Sequence, residues 1–431
     1  SLSVGPFRIF NVTTTGTVNF SGLTLQYGFG INEGGGIQNA STGTVNVNKC
    51  TISNNGAING GGVANATTGR IILSNCLIEN NYSELSNGDS SGGGIYSWSG
   101  NVTMTNCTLS SNTASSGGTS GAGSGGGIYN RGGTVTMTNC TLSSNIVSSN
   151  SNSDIANCYG GGVYNAGTLL LSNSTIDHNG NTAADNHSLA EGGGIYNDGA
   201  MEVTNSTIDD NSGFQTGGIY NIGTAIITNS TIAYNAAYGA FEPHPGGIEN
   251  DATQSDIQVK SCIIAGSDGS GDVSGAFTSG GFNFISRGDY STGFTAATDQ
   301  TGTFAAPLDP KLDGLKDNGG PTWTIALLPG SPAIDKGTSN GLTGALITDQ
   351  RGVGYKRTVN KSVANATGGD GTDIGAFELG AQIKAVSRKT HGSVGTFGLN
   401  LPLYGARVGV ECRTGGASGV HQVLLTFPNA V

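Results

Sequence analysis

Charge is scarce in this chain of 431 residues: 11% of positions are Asp, Glu, Lys or Arg, where a soluble domain usually carries about 25%. Disordered chains are normally rich in charge and Pro, and only 10 Pro are present. The poverty of both argues for a folded chain in which Asn, Ser and Thr replace charge. Gly is abundant at 75, yet without a Gly-X-Y period, which excludes collagen. No apolar run approaches the ~18–20 residues that cross a bilayer, so no membrane span is expected. Basic residues are rarest in residues 1–286, five against eighteen acidic ones. A body with a balance of −13 offers no basic stripe for phosphates, which excludes nucleic acid as a partner. The hydrophobic share of 35% is low for one deep core and favours an elongated molecule with a thin one. The opening Ser-Leu-Ser, without Met or a charged-plus-apolar leader, reads as a processed chain or a fragment.

A repeat fills most of the chain. Phrases related to Gly133–Leu142 occur nine times, with one column holding Leu23, Cys50, Cys76, Cys107, Cys140, Ser174, Ser206, Ser230 and Cys262. Two residues further stand Leu25, Ile52, Ile78, Leu109, Leu142, Ile176, Ile208, Ile232 and Ile264, an alternation that predicts a strand buried on one face. Asn55, Asn81, Asn112, Asn145, Asn179, Asn211 and Asn235 form a second column. A third holds Asn39, Asn65, Asn130, Asn165, Asn197, Asn221 and Asn250, broken by Ser97. Stacked amides at solenoid corners can bond one coil to the next, so Asn-X-Ser/Thr matches such as Asn205-Ser206-Thr207 read as ladder positions before glycan acceptors. The constant unit of 20–22 residues, from the first Gly to the corner Asn, predicts one coil of a parallel β-helix. All length variation falls between that Asn and the next Gly phrase. Residues 82–91, 113–124, 146–159, 180–191 and 236–244 are therefore expected to project as loops on one side.

The coils resemble the right-handed β-helix of bacterial surface proteins with Gly-Gly-Ala/Ile repeats, as in polymorphic outer-membrane proteins. Four later phrases are more specific: Asp317-Asn318-Gly319-Gly320-Pro321-Thr322, Leu327–Asp335, Asp349-Gln350-Arg351-Gly352 and Asp373–Glu378. In that order they resemble the choice-of-anchor Q domain proteins over roughly residues 7–380. The resemblance implies a secreted bacterial β-helix delivered to the cell surface, with no catalytic residues to carry over. The fold class expected is all-β: a right-handed parallel β-helix of about nine recognisable coils, an irregular C-terminal cap and a short β-rich tail.

Three regions follow: coils over 1–267, final irregular coils and cap over 268–380, and a tail over 381–431. Trp323, Leu327, Leu328 and Phe377 are the apolar anchors expected of the cap. The segment 384–431 carries a charge of +4, and Val394–Leu403 and Val420–Phe427 read as strands. Phrases at 387–392 and 411–416 resemble the opening of a β-sandwich module. Two or three strands cannot enclose a core, so the module is cut or a neighbour completes it. With Phe7–Phe10 running almost directly into the first coil, this suggests self-association, a head-to-tail polymer joining the N-terminal coil to residues 384–431.

Parallel β-helices also carry polysaccharide lyases and hydrolases, whose sites need clustered carboxylates. The best cluster is Asp177-His178 with Asp209-Asp210 one coil on, placing Asp177 beside Asp209 and His178 beside Asp210. The same column holds Gln26, Ser53, Glu79, Ser110, Ser143 and Ala233, so it reads first as a solvated face and only second as a site. The inward Cys column reads first as free, stacked thiols, with disulfides or a metal as alternatives. Cys158 and Cys412 fall outside that column and read as the redox-active pair members. Tyr96, Tyr129, Tyr164, Tyr196 and Tyr220 form an outward stripe, read first as ladder packing and second as a platform for surface glycans. No cofactor and no metal is expected. The function read from these residues is a secreted, surface or extracellular-matrix rod, structural or adhesive. The alternative is a carbohydrate-active β-helix using the loop wall and Asp177/Asp209.

Overall fold

A computed structural model describes residues 7–380 apart from 87, 118–120, 150–156, 183–188, 240–243, 252–255 and 362. It also describes three later strands, Lys384–His391, Gly395–Leu401 and Gln422–Thr426. Among the described residues there is no helix.

Each coil passes through three walls. In the coil that starts at Gly125, Ile128–Asn130 belongs to a tyrosine wall, Thr134–Thr138 to a broad wall and Thr141–Ser143 to a threonine wall. Equivalent residues of successive coils pair in parallel register, as Met104 with Met137 and Leu109 with Leu142. The tyrosine and threonine walls each reach eleven strands and the broad wall ten. This is the right-handed parallel β-helix, about 48 Å long at ~4.8 Å per coil. Two irregular coils follow the nine repeats, with strands Val273–Ala276, Phe284–Ile285, Tyr290–Thr292 and Gln300–Thr301.

Alternate side chains of every wall meet in one continuous core; Val135, Met137 and Leu142 are fully buried. The Cys column lies inside it, and its five thiols are free, as is Cys158 outside the column. The interchange of Cys and Ser in that column has a specific cause. Each residue accepts a hydrogen bond from the backbone N–H of the preceding coil, as Cys107 does from Cys76 and Ser174 from Cys140. The exit from the threonine wall takes a left-handed turn, filled by Asn54, Asn80, Ser111 and Ser144 with φ of 55, 54, 53 and 58°, which short polar side chains tolerate. The buried Asn follows. Asn112 donates from Nδ2 to the Ile78 carbonyl (3.0 Å) and to Asn145 Oδ1 (2.9 Å), and its own Oδ1 accepts from Asn81 N and Nδ2.

The variable segments are not the irregular loops expected from their lengths. They begin in a seven-stranded parallel sheet running from Gly56–Ala57 through Tyr82–Leu85 and Thr113–Ser116 to Ala236–Ala237. Four of them end in a second sheet, Ser90–Ser91, Gly123–Ser124, Cys158–Tyr159 and Ala190–Glu191. Neighbouring insertions satisfy each other's backbone groups by stacking. Ala114, Val147, Cys158 and Ala190 close a small core between them. Cys158 is therefore no exposed redox thiol: burial pushes its pKa up to about 12, where little reactive thiolate forms. Cys412 lies outside the described residues.

After the last coil the chain turns back. A hairpin of Leu312–Lys316 and Thr324–Leu327 opens a strap, which from residue 317 to 379 lies along the threonine wall over the coils from Asn173 to Ala265. Leu327, Ile334 and Ile374 pack on Ile263 and Phe284. Of the anchors expected, Leu327 and Phe377 are buried, whereas Trp323 and Leu328 are 56% and 39% exposed. The residues of the anchor-like phrases build one buried polar network. Arg351 pairs with Asp349 (2.5 Å), Asp349 Oδ2 accepts from Glu378 N (2.9 Å), Glu378 Oε2 from Asp373 N (3.0 Å), and Asp373 Oδ1 from Asp335 N (2.8 Å). In the tail, Lys384–His391 pairs antiparallel with both other strands; it is the third strand that the sequence pattern did not single out.

Candidate functional site

Asp177 and Asp209 are register partners at the end of the threonine wall, and the next residues, His178 and Asp210, occupy its left-handed corner (φ 53 and 49°). The structure thus brings all four predicted residues together. His178 Nδ1 lies 3.0 Å from Asp177 Oδ2 and Nε2 lies 2.8 Å from Asp210 Oδ2. Both ring nitrogens can serve these carboxylates only as donors, so the arrangement favours the imidazolium. Burial opposes that charge, but the Asp177 hydrogen bond and the charge of Asp210 outweigh it and raise the His178 pKa.

The solvated face expected here is not what the structure has. Asp177 and Asp209 keep 8% and 4% of their surface. The strap is the reason, since it covers Thr175 and Thr207 two positions earlier on the same outward face. Asp177 accepts from Ser143 Oγ at 3.0 Å, and burial raises its pKa in spite of its hydrogen bonds. Asp209 Oδ1 is buried with no hydrogen-bond partner. Burial first, then the charges of Asp210 and Asp177, push its carboxyl up to about 7. Chemically, this is a carboxyl group that changes protonation near neutral pH, beside a His178 ring hydrogen-bonded between Asp177 and Asp210. Of its members, His178 and Asp210 reach solvent.

A second cluster escaped the sequence reading. Glu191, in the inserted sheet, lies 5% exposed close to Tyr220 and Glu249 of the tyrosine wall. Glu249 accepts from Thr216 Oγ1 (2.5 Å) and pairs with His244 Nδ1 (3.1 Å). Burial, then the charge of Glu249, raises Glu191 to about 7. Glu249 stands in the Tyr column, and that break in the pattern was the available signal; Glu191 and His244 lie in variable segments without register to read. Neither cluster forms a metal centre: among the described residues no three His, Cys, Asp or Glu side chains stand together as a metal-binding group.

The tyrosine stripe is a ladder of rings. Tyr96, Tyr129, Tyr164, Tyr196 and Tyr220 stack face to face with centroids 4.8–5.5 Å apart and planes within 4–11°. Each inner ring has both faces covered by its neighbours, so the stripe presents edges and no free stacking platform for a sugar. No family model, no curated protein and no solved structure matches this chain.

Proposed function

We propose that the chain is a secreted bacterial surface or extracellular-matrix rod, structural or adhesive rather than enzymatic. The observation that carries this reading is the unbroken stacking of coils, with buried Asn ladders at two corners and carboxylates sunk into the walls instead of opening into a cleft. Such a stack suits a stiff spacer. Self-association belongs to the same reading. The strands Phe10–Val12, Thr17–Ser21 and Thr24–Gln26 are each the edge of their sheet. A +4 segment, 384–431, would complement the acidic body of a second copy. Surface glycans fit as adhesive targets along the ring edges and hydroxyls rather than the ring faces.

A carbohydrate-active enzyme is the second reading, favoured by one observation: two register-paired carboxyl groups, Asp177 and Asp209, both with raised pKa. Their burial weighs against it, because an acid that protonates a glycosidic oxygen must touch it. The test has two arms. Electron microscopy of the full chain at rising concentration should give end-to-end particles that truncation after Gly380 abolishes. Incubation with neutral and uronate polysaccharides should leave them intact; chain cleavage that disappears in an Asp177→Ala/Asp209→Ala variant would establish the enzyme instead.

A further inference from the structure

The strap satisfies the threonine wall group by group. Asn205 Nδ2 donates to the Thr348 carbonyl (2.9 Å) and Asn229 Nδ2 to the Thr338 carbonyl (3.0 Å). Thr207 donates to Gln350 Oε1 (2.6 Å) and Thr175 to the Trp323 carbonyl (2.7 Å). These wall residues are buried as a result.

In the preceding coils the same columns stand open. By register, Asn106 and Asn139 are the equivalents of Asn173 and Asn205, and Thr108 and Thr141 of Thr175 and Thr207. Asn106 is exposed, and Asn139, Thr108 and Thr141 are half-buried. The amides bond only along their own column, Asn106 to Asn75 (3.4 Å) and Asn139 to Asn106 (3.2 Å), which leaves each a second N–H to give. The covered and open stretches meet at a groove of about 590 Å³. Asn139 and Asn173 lie on its wall side and Pro321, Ile347 and Val353 on its strap side. Ile347 and Val353 are 84% and 96% exposed, far more than apolar side chains of that size usually are.

We propose that the open threonine-wall face, from Asn75 to Thr141, docks an extended, uncharged polypeptide segment of a partner, as the strap occupies the coils beyond. Continuity with that internal interface is the argument. The open face repeats the donors that the strap engages, at the same coil spacing, and ends against two exposed apolar side chains. The occupant is uncharged because the face offers amides and hydroxyls, with Glu79 its only ionisable group between those limits. Its main-chain carbonyls accept from the Asn column, its Thr or Gln side chains meet Thr108 and Thr141, and an apolar residue rests on Ile347 and Val353. The inference deepens the adhesive reading and rests on it for a partner, not for its geometry.

The probe is a fluorescein-labelled synthetic peptide of residues 319–353, whose charges cancel, titrated against the full chain by fluorescence anisotropy. Saturable binding is expected. It should weaken about tenfold in Asn106→Gly/Thr141→Val, which keeps the left-handed corner (φ 52°) unstrained and removes two hydrogen bonds of about equal worth, and vanish in Thr141→Arg, which obstructs the face. Neither site is in the core, and unchanged melting of each variant checks the fold. No saturation by about 1 mM peptide, or equal binding to wild type and both variants, as exchange with the resident strap would give, overturns the proposal. Filament formation and polysaccharide cleavage are read separately, so failure here is distinguishable from failure of the rod reading.

Discussion

Asn112→Ala should destabilise the middle coils by about 4 kcal/mol. The side chain makes four buried hydrogen bonds: two donated, to the Ile78 carbonyl and Asn145 Oδ1, and two accepted, from Asn81 N and Nδ2, all at 2.9–3.0 Å. Each contributes about 1 kcal/mol net, and a stranded buried backbone group costs at least as much. Ala strands two such groups, the Asn81 N–H and the Ile78 carbonyl, and no water can replace the amide without a cavity large enough to hold it. The control is Asn106→Gly on the exposed column, which loses bonds of 3.4 and 3.2 Å and keeps the left-handed corner (φ 52°) unstrained. Its cost should stay below about 1 kcal/mol. Solenoids need not unfold in one step, so the assay is native-state hydrogen exchange of amides in residues 78–84 and 109–115, where local opening free energies are read directly. Equal opening free energies in the two variants would refute the claim that the buried ladder holds coil to coil.

The buried thiols make a simple prediction. Burial pushes Cys158 and Cys262 up to about 12, so the native chain should give at most one rapid reaction with a thiol reagent at pH 8, from Cys412, and seven after denaturation; two or more fast native thiols would contradict the buried column. Asp209 should make stability pH-dependent. Its folded pKa near 7 lies above its unfolded value, so its contribution is complete below about pH 4 and is lost as pH rises towards 7. The slope is at most about 1.4 kcal/mol per pH unit. Asp209→Asn should flatten that part of the stability profile relative to wild type, and parallel profiles would sink the idea. Arg357 is fully buried among Glu378, Asp349 and Asp373, so Arg357→Met should free the strap by about 3–5 kcal/mol. Limited proteolysis should then cut within 303–380 while the coils keep their circular dichroism; a resistant strap would show that the cation is dispensable.

The repeat was legible because each coil states its own register. Cys50 to Cys140, Asn55 to Asn235 and Leu25 to Ile264 fall in columns by counting alone, and the structure places every one of them on the inner face or at a corner. The inserted sheets were not legible for the converse reason. Residues such as Tyr82–Leu85 and Thr113–Ser116 share no residue pattern, and they pair because both are extended at the same height. Parallel backbone stacking makes no demand on side-chain identity that a sequence would display.

The misread carboxylates have a different cause. Alternation correctly turned Asp177 and Asp209 outward, but an outward residue is exposed only if nothing lies over the wall. What lies there is chain from more than a hundred residues later: Trp323 on Thr175 and Gln350 on Thr207. The local record of that cover was present in outline. Beyond Cys140 the inward column changes to Ser174, Ser206 and Ser230 and the outward column from Ser143 to Asp177, Asp209 and Ala233. The change begins where Gln350 Nε2 reaches the Ser174 carbonyl and Thr322 the Asn173 carbonyl, and where the Asn205 and Asn229 amides turn to the strap. A solenoid's coils are equivalent in backbone, so a column that changes composition at one height marks a change in what the wall faces. By that logic the unchanged, hydroxyl- and amide-rich stretch from Asn75 to Thr141 is a wall kept compatible with both water and an extended chain.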